Sequence, residues 1–356
     1  MNDPARAEFS VKILNWYLKN KRDLPWRHTH DPYVIWLSEI ILQQTRVEQG
    51  MPYFYRFLER FPDVQAFASA SEDEVLALWQ GLGYYSRGRN MLRTARQVVE
   101  ELDGIFPVKY DQLLKLKGIG EYTAAAISSF AADEPHAVVD GNVYRVFARY
   151  FGVEEASSSL KGKREVAGLA YEMLNRHHPG EHNQAMIEFG ALLCKPRNPD
   201  CGLCPVRAGC YALEHGKVAV LPAKKKKKAL RDRYFHVFLL ECDGRLFIMR
   251  RDAADIWANL YQPLIVETQQ HTDFADVLSL PEIAALGLSS GQWRPASPAI
   301  IHLLSHQRLH MVFHHCVLSA RPAALPESFV PGAVSSLANF AMPQPVFNKI
   351  KIIFNL

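Results

Sequence analysis

The sequence predicts two domains in series, an all-α domain followed by a smaller α+β domain. Three observations predict this. The chain has 356 residues, too many for one ordinary domain and too few for three. From Phe9 to about Leu213, apolar residues recur three and four apart with few alternating runs. After Tyr234 the texture turns to alternation with hairpin signals, and five lysines, Lys224–Lys228, lie between the two patterns. The expected boundaries are a helical domain over 1–220, a basic linker over 221–233 and an α+β domain over 234–356.

Taken in order, Asp31-Pro32 reads as an N-cap followed by a first-turn proline, opening a helix through about Glu48. Further helices fit Glu72–Leu78, Ser86–Leu102, Asp111–Leu116, Tyr122–Phe130, Asn142–Tyr150 and Lys163–Leu174. The lysine run holds nothing to bury and reads as a solvated linker, free to lie along phosphates. Beyond it, Tyr234–Leu240 alternates, Asp243-Gly244 marks a two-residue hairpin turn, and Arg245–Arg251 alternates back. Leu309–Leu318 reads as another strand, Thr272–Leu286 as a short helical stretch and Val346–Phe354 as a terminal helix.

Composition excludes several classes. With 48% hydrophobic and 22% charged residues, the chain is neither a disordered tail nor a fibrous repeat. No apolar run approaches the length of a membrane span, and the polar start predicts no secretory signal. Six cysteines without a secreted framework predict a reducing compartment, the cytoplasm (with the nucleoid in a bacterium), and point to metal or cluster ligation. Net charge is +4, divided as +5 over 1–233 and −1 over 234–356. The lysine run alone supplies that +5, so local clusters decide any case for nucleic acid.

Cys194, Cys201, Cys204 and Cys210 fall within seventeen residues as C-x6-C-x2-C-x5-C. Four thiolates in one loop suit zinc or an iron–sulfur cluster. Zinc ribbons use two separated C-x2-C pairs, and only one such pair is present, so the spacing favours a [4Fe–4S] cluster. Lys195, Arg197 and Arg207 share the loop and are candidates for phosphate contact. Cys242 and Cys316 fall in expected strands and read as core residues.

Three further features carry chemistry. Gly118-Ile119-Gly120 lies between two expected helices, where glycines let backbone N–H groups approach a phosphate at a helix N-terminus. Such a turn is also common without any ligand. Twenty residues later, Asp140 precedes a helix in V-D-G-N-V. It reads as an N-cap that can also serve as a carboxylate facing a cleft. Glu39 is embedded in the apolar run Val34–Leu42. If it is buried, desolvation raises its pKa and leaves it a proton to give near neutrality.

Together, the helix–G-I-G–helix element, V-D-G-N-V-Y-R-V and the four-cysteine loop resemble the helix-hairpin-helix DNA glycosylase superfamily, over about residues 30–211. Branches that also cut the strand carry a lysine two residues past the hairpin. Here that position is Tyr122, which cannot form a Schiff base. E-x-x-x-Q-Q-T from Glu39, Leu24-Pro25-Trp26-Arg27 and Gly81–Arg87 closely resemble the MutY-type adenine DNA glycosylases.

That resemblance implies a monofunctional enzyme that flips adenine out of A:8-oxoG or A:G mispairs in double-stranded DNA and leaves an abasic site. It implies that Glu39 protonates the leaving adenine, that Asp140 stabilises the sugar cation by charge or through a transient covalent bond, and that Tyr122 and Asn142 orient these groups and the catalytic water. Arg22, Trp26 and Gln184 match the adenine pocket, and Arg27 and Gln43, within the matching motifs, are expected among the substrate- or DNA-binding residues. Gln44 and Tyr84 match residues that enter the opened stack, Thr45 and Leu82 match contacts to 8-oxoguanine, and Gly118 and Gly120 match the phosphate-binding hairpin.

In this family the second domain is Nudix-like and reads the lesion. Leu304-Ser305-His306 stands where the family commonly has Phe-Ser-His, making Ser305 and His306 the candidate readers. Residues 259–290 hold only Glu267, Asp273, Asp276 and Glu282 as acids, without the R-E-x-x-E-E pattern of a hydrolytic Nudix helix. The expectation is a monomer with a [4Fe–4S] cluster, DNA as partner and no membrane. Its rivals are a bifunctional lyase for oxidised pyrimidines and a non-catalytic iron–sulfur DNA-binding protein.

Overall fold

The computed structural model describes residues 4–223, 229–251, 255–288, 291–295 and 298–356. The lysine run lies outside the described residues. Contacts divide the chain into two compact units, 1–70 with 90–226, and 71–89 with 227–356.

The helices are α1 (Pro4–Asn20), α2 (Pro32–Ile41), α3 (Val47–Arg60), α4 (Val64–Ala68), α5 (Glu72–Trp79), α6 (Ser86–Glu101), α7 (Tyr110–Leu113), α8 (Glu121–Ala132), α9 (Gly141–Phe151), α10 (Leu160–Met173), α11 (Pro179–Leu192) and α12 (Tyr211–Glu214). Asp31 caps α2 as expected, its carboxylate accepting from the Tyr33 N–H at 2.8 Å. The helix nevertheless stops at Ile41 instead of running through Glu48. Gln44 there takes φ 55°, the left-handed region that no helix interior tolerates, and the chain turns before α3.

Two apolar clusters hold the helical unit. One gathers Phe9, Ile13 and Tyr17 of α1, Phe147 of α9 and Phe189 of α11. The other is aromatic, with Phe61 stacked on Phe67 at 4.7 Å and Trp36 against Phe67 and Phe106. Burial of these large rings supplies most of the unit's hydrophobic stabilisation, roughly 1.5–3 kcal/mol per side chain. The rigid product is a pair of helices, α2 and α8, packed side by side with α9 and α11.

The second unit is built on a mixed sheet. Its strands are β1 (Arg231–Cys242), β2 (Arg245–Arg250), β3 (Tyr261–Gln262), β4 (Leu264–Thr268), β5 (Gln292–Trp293), β6 (Ile300–Leu303), β7 (Gln307–Leu318) and β8 (Val330–Ala333). β1 runs parallel to β7, with Arg231 opposite Gln307, and antiparallel to β2 and β4. The expected helical stretch is two short helices, α13 (Phe274–Leu278) and α14 (Pro281–Ala284), and α15 (Gln344–Phe354) closes the chain.

β1 is covered on both faces. Phe235, Val237 and Leu239 pack with α15, while Phe238 and Leu240 pack with α13 and α14. Cys316 is buried, as expected of a core residue, whereas Cys242 at the strand end is only half-buried. This unit also takes in α5 and the turn after it: Leu76 closes a small core with Leu260 and Ala341.

Candidate active site

Helices α2, α8, α9 and α11 enclose a cavity of about 1410 Å³. Eleven of the residues singled out above line it: Arg22, Trp26, Arg27, Glu39, Gln43, Gln44, Thr45, Tyr122, Asp140, Asn142 and Gln184. Three stretches of sequence, separated by up to a hundred residues and more, thus converge on one space.

Glu39 sits on the last turns of α2, among buried Trp36, Leu37, Ile40 and Ile41. Glu39 itself is half-buried and lines the cavity. Desolvation there pushes its pKa up to about 7, helped by the nearby charge of Asp140 and only partly offset by Tyr122 and Arg27. The Tyr122 phenol, at the start of α8, is pushed well above its ordinary range by the same burial. It therefore stays protonated beside Glu39, whose charged form it favours.

Asp140 performs the expected capping of α9. Its Oδ1 accepts from the N–H groups of Asn142 at 2.8 Å and Val143 at 2.7 Å. Its Oδ2 accepts from the Asn142 side-chain amide at 2.7 Å. Burial raises its pKa, but three hydrogen bonds and the Arg145 charge favour the anion. Cap and cavity-facing carboxylate are thus one group, not alternatives. Two carboxyls at one cavity are held apart chemically, Glu39 by desolvation and Asp140 by hydrogen bonding.

The opposite wall is an ion cluster that sequence reasoning missed. Glu188 of α11 is fully buried and accepts from Arg22 Nη2 at 2.7 Å and Arg27 Nη2 at 2.9 Å. Burial alone would raise its pKa, yet the two guanidiniums hold it at about 2. Glu188 lies in an apolar helical run like Glu39, and that signal could have found it. Gln184, one turn before, accepts from the Tyr17 hydroxyl at 2.8 Å. Trp26 is fixed edge-to-face on Phe54 at 5.2 Å.

The hairpin stands outside the cavity. Gly118 takes φ 81°, and a Cβ there would meet the Asn90 Cβ at 2.8 Å. Gly120 caps α8 with open space before it, leaving the N–H groups of the first turn accessible. Leu82, Tyr84, Ser305 and His306 all belong to the second unit. Tyr84 and Ser305 are exposed with their hydroxyls 2.9 Å apart, His306 is exposed, and Leu82 is buried.

The four cysteine thiols are free and half-buried. Burial pushes Cys204 up to about 11, and the charges of Cys194, Cys210 and Cys201 add to the rise, so the four thiols converge on one region. Among the described residues, no three His, Cys, Asp or Glu close on a single ion. Four soft thiolate donors in one loop suit a cluster. Arg149 donates to Cys194 Sγ at 3.4 Å. Arg145, also missed, donates to the Cys194 carbonyl at 2.8 Å and to Asn142 Oδ1 at 2.8 Å, tying the cysteine loop to the group beside Asp140. In that loop Lys195 pairs with Asp200 at 2.8 Å, while Arg197 and Arg207 are exposed.

Fold and site together define a helix-hairpin-helix base-excision glycosylase with an appended sheet domain. Residues 37–170 match the HhH-GPD superfamily of base excision DNA repair proteins, 194–210 the iron–sulfur binding domain of endonuclease III, and 236–351 a NUDIX domain. Over 254 residues the chain is 37% identical to an adenine DNA glycosylase of Buchnera aphidicola subsp. Schizaphis graminum, covering 71% of this chain and 73% of that one. It is 43% identical over 213 residues to an adenine DNA glycosylase of Homo sapiens, covering 57% and 39% respectively. The chain belongs to the adenine DNA glycosylase family of base excision repair, with a 4Fe–4S binding loop at its four cysteines.

Among solved structures, a thermostable thymine-DNA glycosylase superposes with TM-score 0.55 at 29% identity, covering 60% of this chain and 98% of that one. An endonuclease III bound to DNA superposes with TM-score 0.52 at 21% identity, covering 61% and 99%, and so shares the fold. No helix among the described residues is long and apolar enough to cross a membrane.

Proposed function

We propose that this chain removes adenine paired with 8-oxoguanine or guanine in double-stranded DNA, without cutting the strand, and leaves an abasic site. The observation that carries this reading is the pair Glu39 and Tyr122 at one cavity with Asp140. A carboxyl near pKa 7 keeps a proton to give at neutral pH. Adenine leaves poorly as an anion, and protonation at a ring nitrogen such as N7 lets it depart neutral.

Asp140, whose three hydrogen bonds favour its anion, faces the sugar and stabilises the positive charge that develops as the base leaves. Tyr122, beside Glu39, orients its carboxyl. Asn142 does the same for Asp140. The cavity wall of Trp26, Gln184 and the Arg22–Glu188–Arg27 cluster offers a stacking face and fixed polar groups to an extrahelical base. Tyr122 holds the position where a lysine would attack the sugar, and a phenol cannot form that Schiff base.

The hairpin at Gly118 and Gly120, with Arg197 and Arg207, suits phosphate contact. Gln43, Gln44 and Thr45 border the cavity, and with Leu82, Tyr84, Ser305 and His306 they suit the opened stack and the opposing 8-oxoguanine. Bound to the four cysteines, the cluster supplies a structural tie for the 194–210 loop. The α+β domain lacks the acidic helix of a hydrolase, and its Glu267 is engaged by Arg233, so it is read as a binding domain acting in a monomer. The enzyme is placed in the cytoplasm with its DNA.

The test is a duplex containing one A:8-oxoG pair, incubated with protein and split into two portions. The expected result is free adenine and strand scission only in the portion treated with hot alkali. Scission without alkali would indicate a lyase, and no adenine release would indicate a binding protein.

A further inference from the structure

Residues 71–89 lie within the helical domain in sequence order but pack with the sheet domain. Their attachment is specific at both ends. In the first turn of α5, Glu72 Oε1 accepts from Arg250 Nη2 at 2.8 Å and from Asn259 Nδ2 at 3.1 Å. Asp73 lies 3.6 Å from the same guanidinium and accepts from the Tyr261 hydroxyl at 3.2 Å. At the far end, the Tyr85 hydroxyl donates to the Met342 carbonyl at 3.1 Å, and Arg89 Nη1 donates to the Ala258 carbonyl at 3.0 Å.

Between these anchors hangs the turn Gly81-Leu82-Gly83-Tyr84. Gly81, Gly83 and Tyr84 all take positive φ, at 103°, 71° and 49°. Glycine adopts such angles freely and Tyr84 does not, so a turn of two permissive residues and one strained one keeps its shape only when its surroundings impose it. Trp79 Nε1 donates to the Gly83 carbonyl at 2.9 Å, and Arg87 donates to the Leu82 and Gly83 carbonyls at 3.3 Å. Those two side chains sit on the very stretch that the sheet domain grips.

We propose that Arg250, with Asn259 and Tyr261, is a positioning clamp through which the C-terminal domain sets the Leu82–Tyr84 turn for entry into duplex DNA. The turn then acts as an arm of the C-terminal domain, moving with Ser305, instead of as a loop of the catalytic domain. This rests on the reading above that Leu82 and Tyr84 meet the opened stack. A single exposed ion pair contributes little, but a guanidinium shared by two carboxylates, each with a second donor, fixes the register of α5.

The experiment uses the full chain with Arg250→Glu, which sets a third negative charge against Glu72 and Asp73. In the free protein, amides of residues 80–88 are expected to exchange hydrogen at least tenfold faster, while those of α8 and α9 are unchanged. Single-turnover adenine release from an A:8-oxoG duplex is expected to slow about tenfold. In a Tyr84→Ala background the same substitution should add no further loss. Glu72→Lys combined with Arg250→Glu should restore exchange protection and rate.

Unchanged exchange at 80–88 overturns the clamp, and so do losses that simply add in the Tyr84→Ala background. If the unsubstituted chain releases no adenine from A:8-oxoG, the functional reading fails, and the exchange comparison still decides the clamp.

Discussion

Arg145 donates to Asn142 Oδ1 at 2.8 Å, and Asn142 donates in turn to Asp140 Oδ2 at 2.7 Å. The same guanidinium reaches the carbonyls of Gly190 at 2.7 Å and Cys194 at 2.8 Å. One buried cation therefore joins the cavity carboxylate to the cysteine loop. Arg145→Met would leave those acceptors unsatisfied, at about 1–3 kcal/mol for each. The variant is expected to melt lower, to hold less iron, and to release adenine at least tenfold more slowly per iron bound. Iron analysis beside single-turnover rates checks this, and full activity with full iron would refute the linkage.

Tyr122 stands where a lysine would attack the sugar. Tyr122→Lys is expected to gain strand cleavage without alkali and trapping by borohydride, both absent from the unsubstituted chain. Its rate of base release should fall, because Glu39 loses the phenol that orients it. Robust borohydride trapping of the unsubstituted chain would show another amine in that role.

Ser305 and His306 are exposed beside Tyr84, whose hydroxyl is 2.9 Å from Ser305 Oγ. Ser305→Ala with His306→Ala is expected to leave A:G processing nearly intact and to cut the preference for A:8-oxoG about tenfold. A lost hydrogen bond to a base edge is worth about 1–3 kcal/mol. Unaltered preference would move lesion reading elsewhere.

Glu39 also has a signature in stability. Its folded pKa is about 7 against an ordinary 4.5. Between those values the folded chain holds a proton that the unfolded chain has released. Stability therefore falls as pH rises through that window, and the full cost is present above it. Glu39→Gln is expected to be more stable than the unsubstituted chain near pH 8, by about 1–3 kcal/mol, and equal to it near pH 4. Thermal melts at both pH values check the sign.

Much of this was legible in the sequence because the signals were local. Asp140 as a cap, the Gly118 turn and the cysteine spacing depend on near neighbours. What remained hidden depends on distant ones. Glu188 gives the same signal as Glu39, a carboxylate in an apolar helix, but Arg22, which distinguishes a structural anion from a proton donor, is 166 residues away. Gln44 gives no warning of its positive φ, so α2 reads as longer than it is. The strands β3, β5, β6 and β8 span two to four residues each, too few for a period to register. Nothing local shows that 71–89 pack with the sheet domain, since the partners Arg250, Asn259 and Tyr261 follow more than 150 residues later.

Glu39 as the proton donor is tested most directly by single-turnover adenine release with Glu39→Gln across pH. The amide keeps the shape and has no proton to transfer. Release at neutral pH should fall at least about a hundredfold while duplex binding persists, since general acids contribute roughly 10²–10⁴. The unsubstituted chain should lose rate above about pH 7 as Glu39 ionises, and the variant's residual rate should not. A loss smaller than about tenfold, or an unchanged fall in rate above pH 7 in the variant, would contradict it.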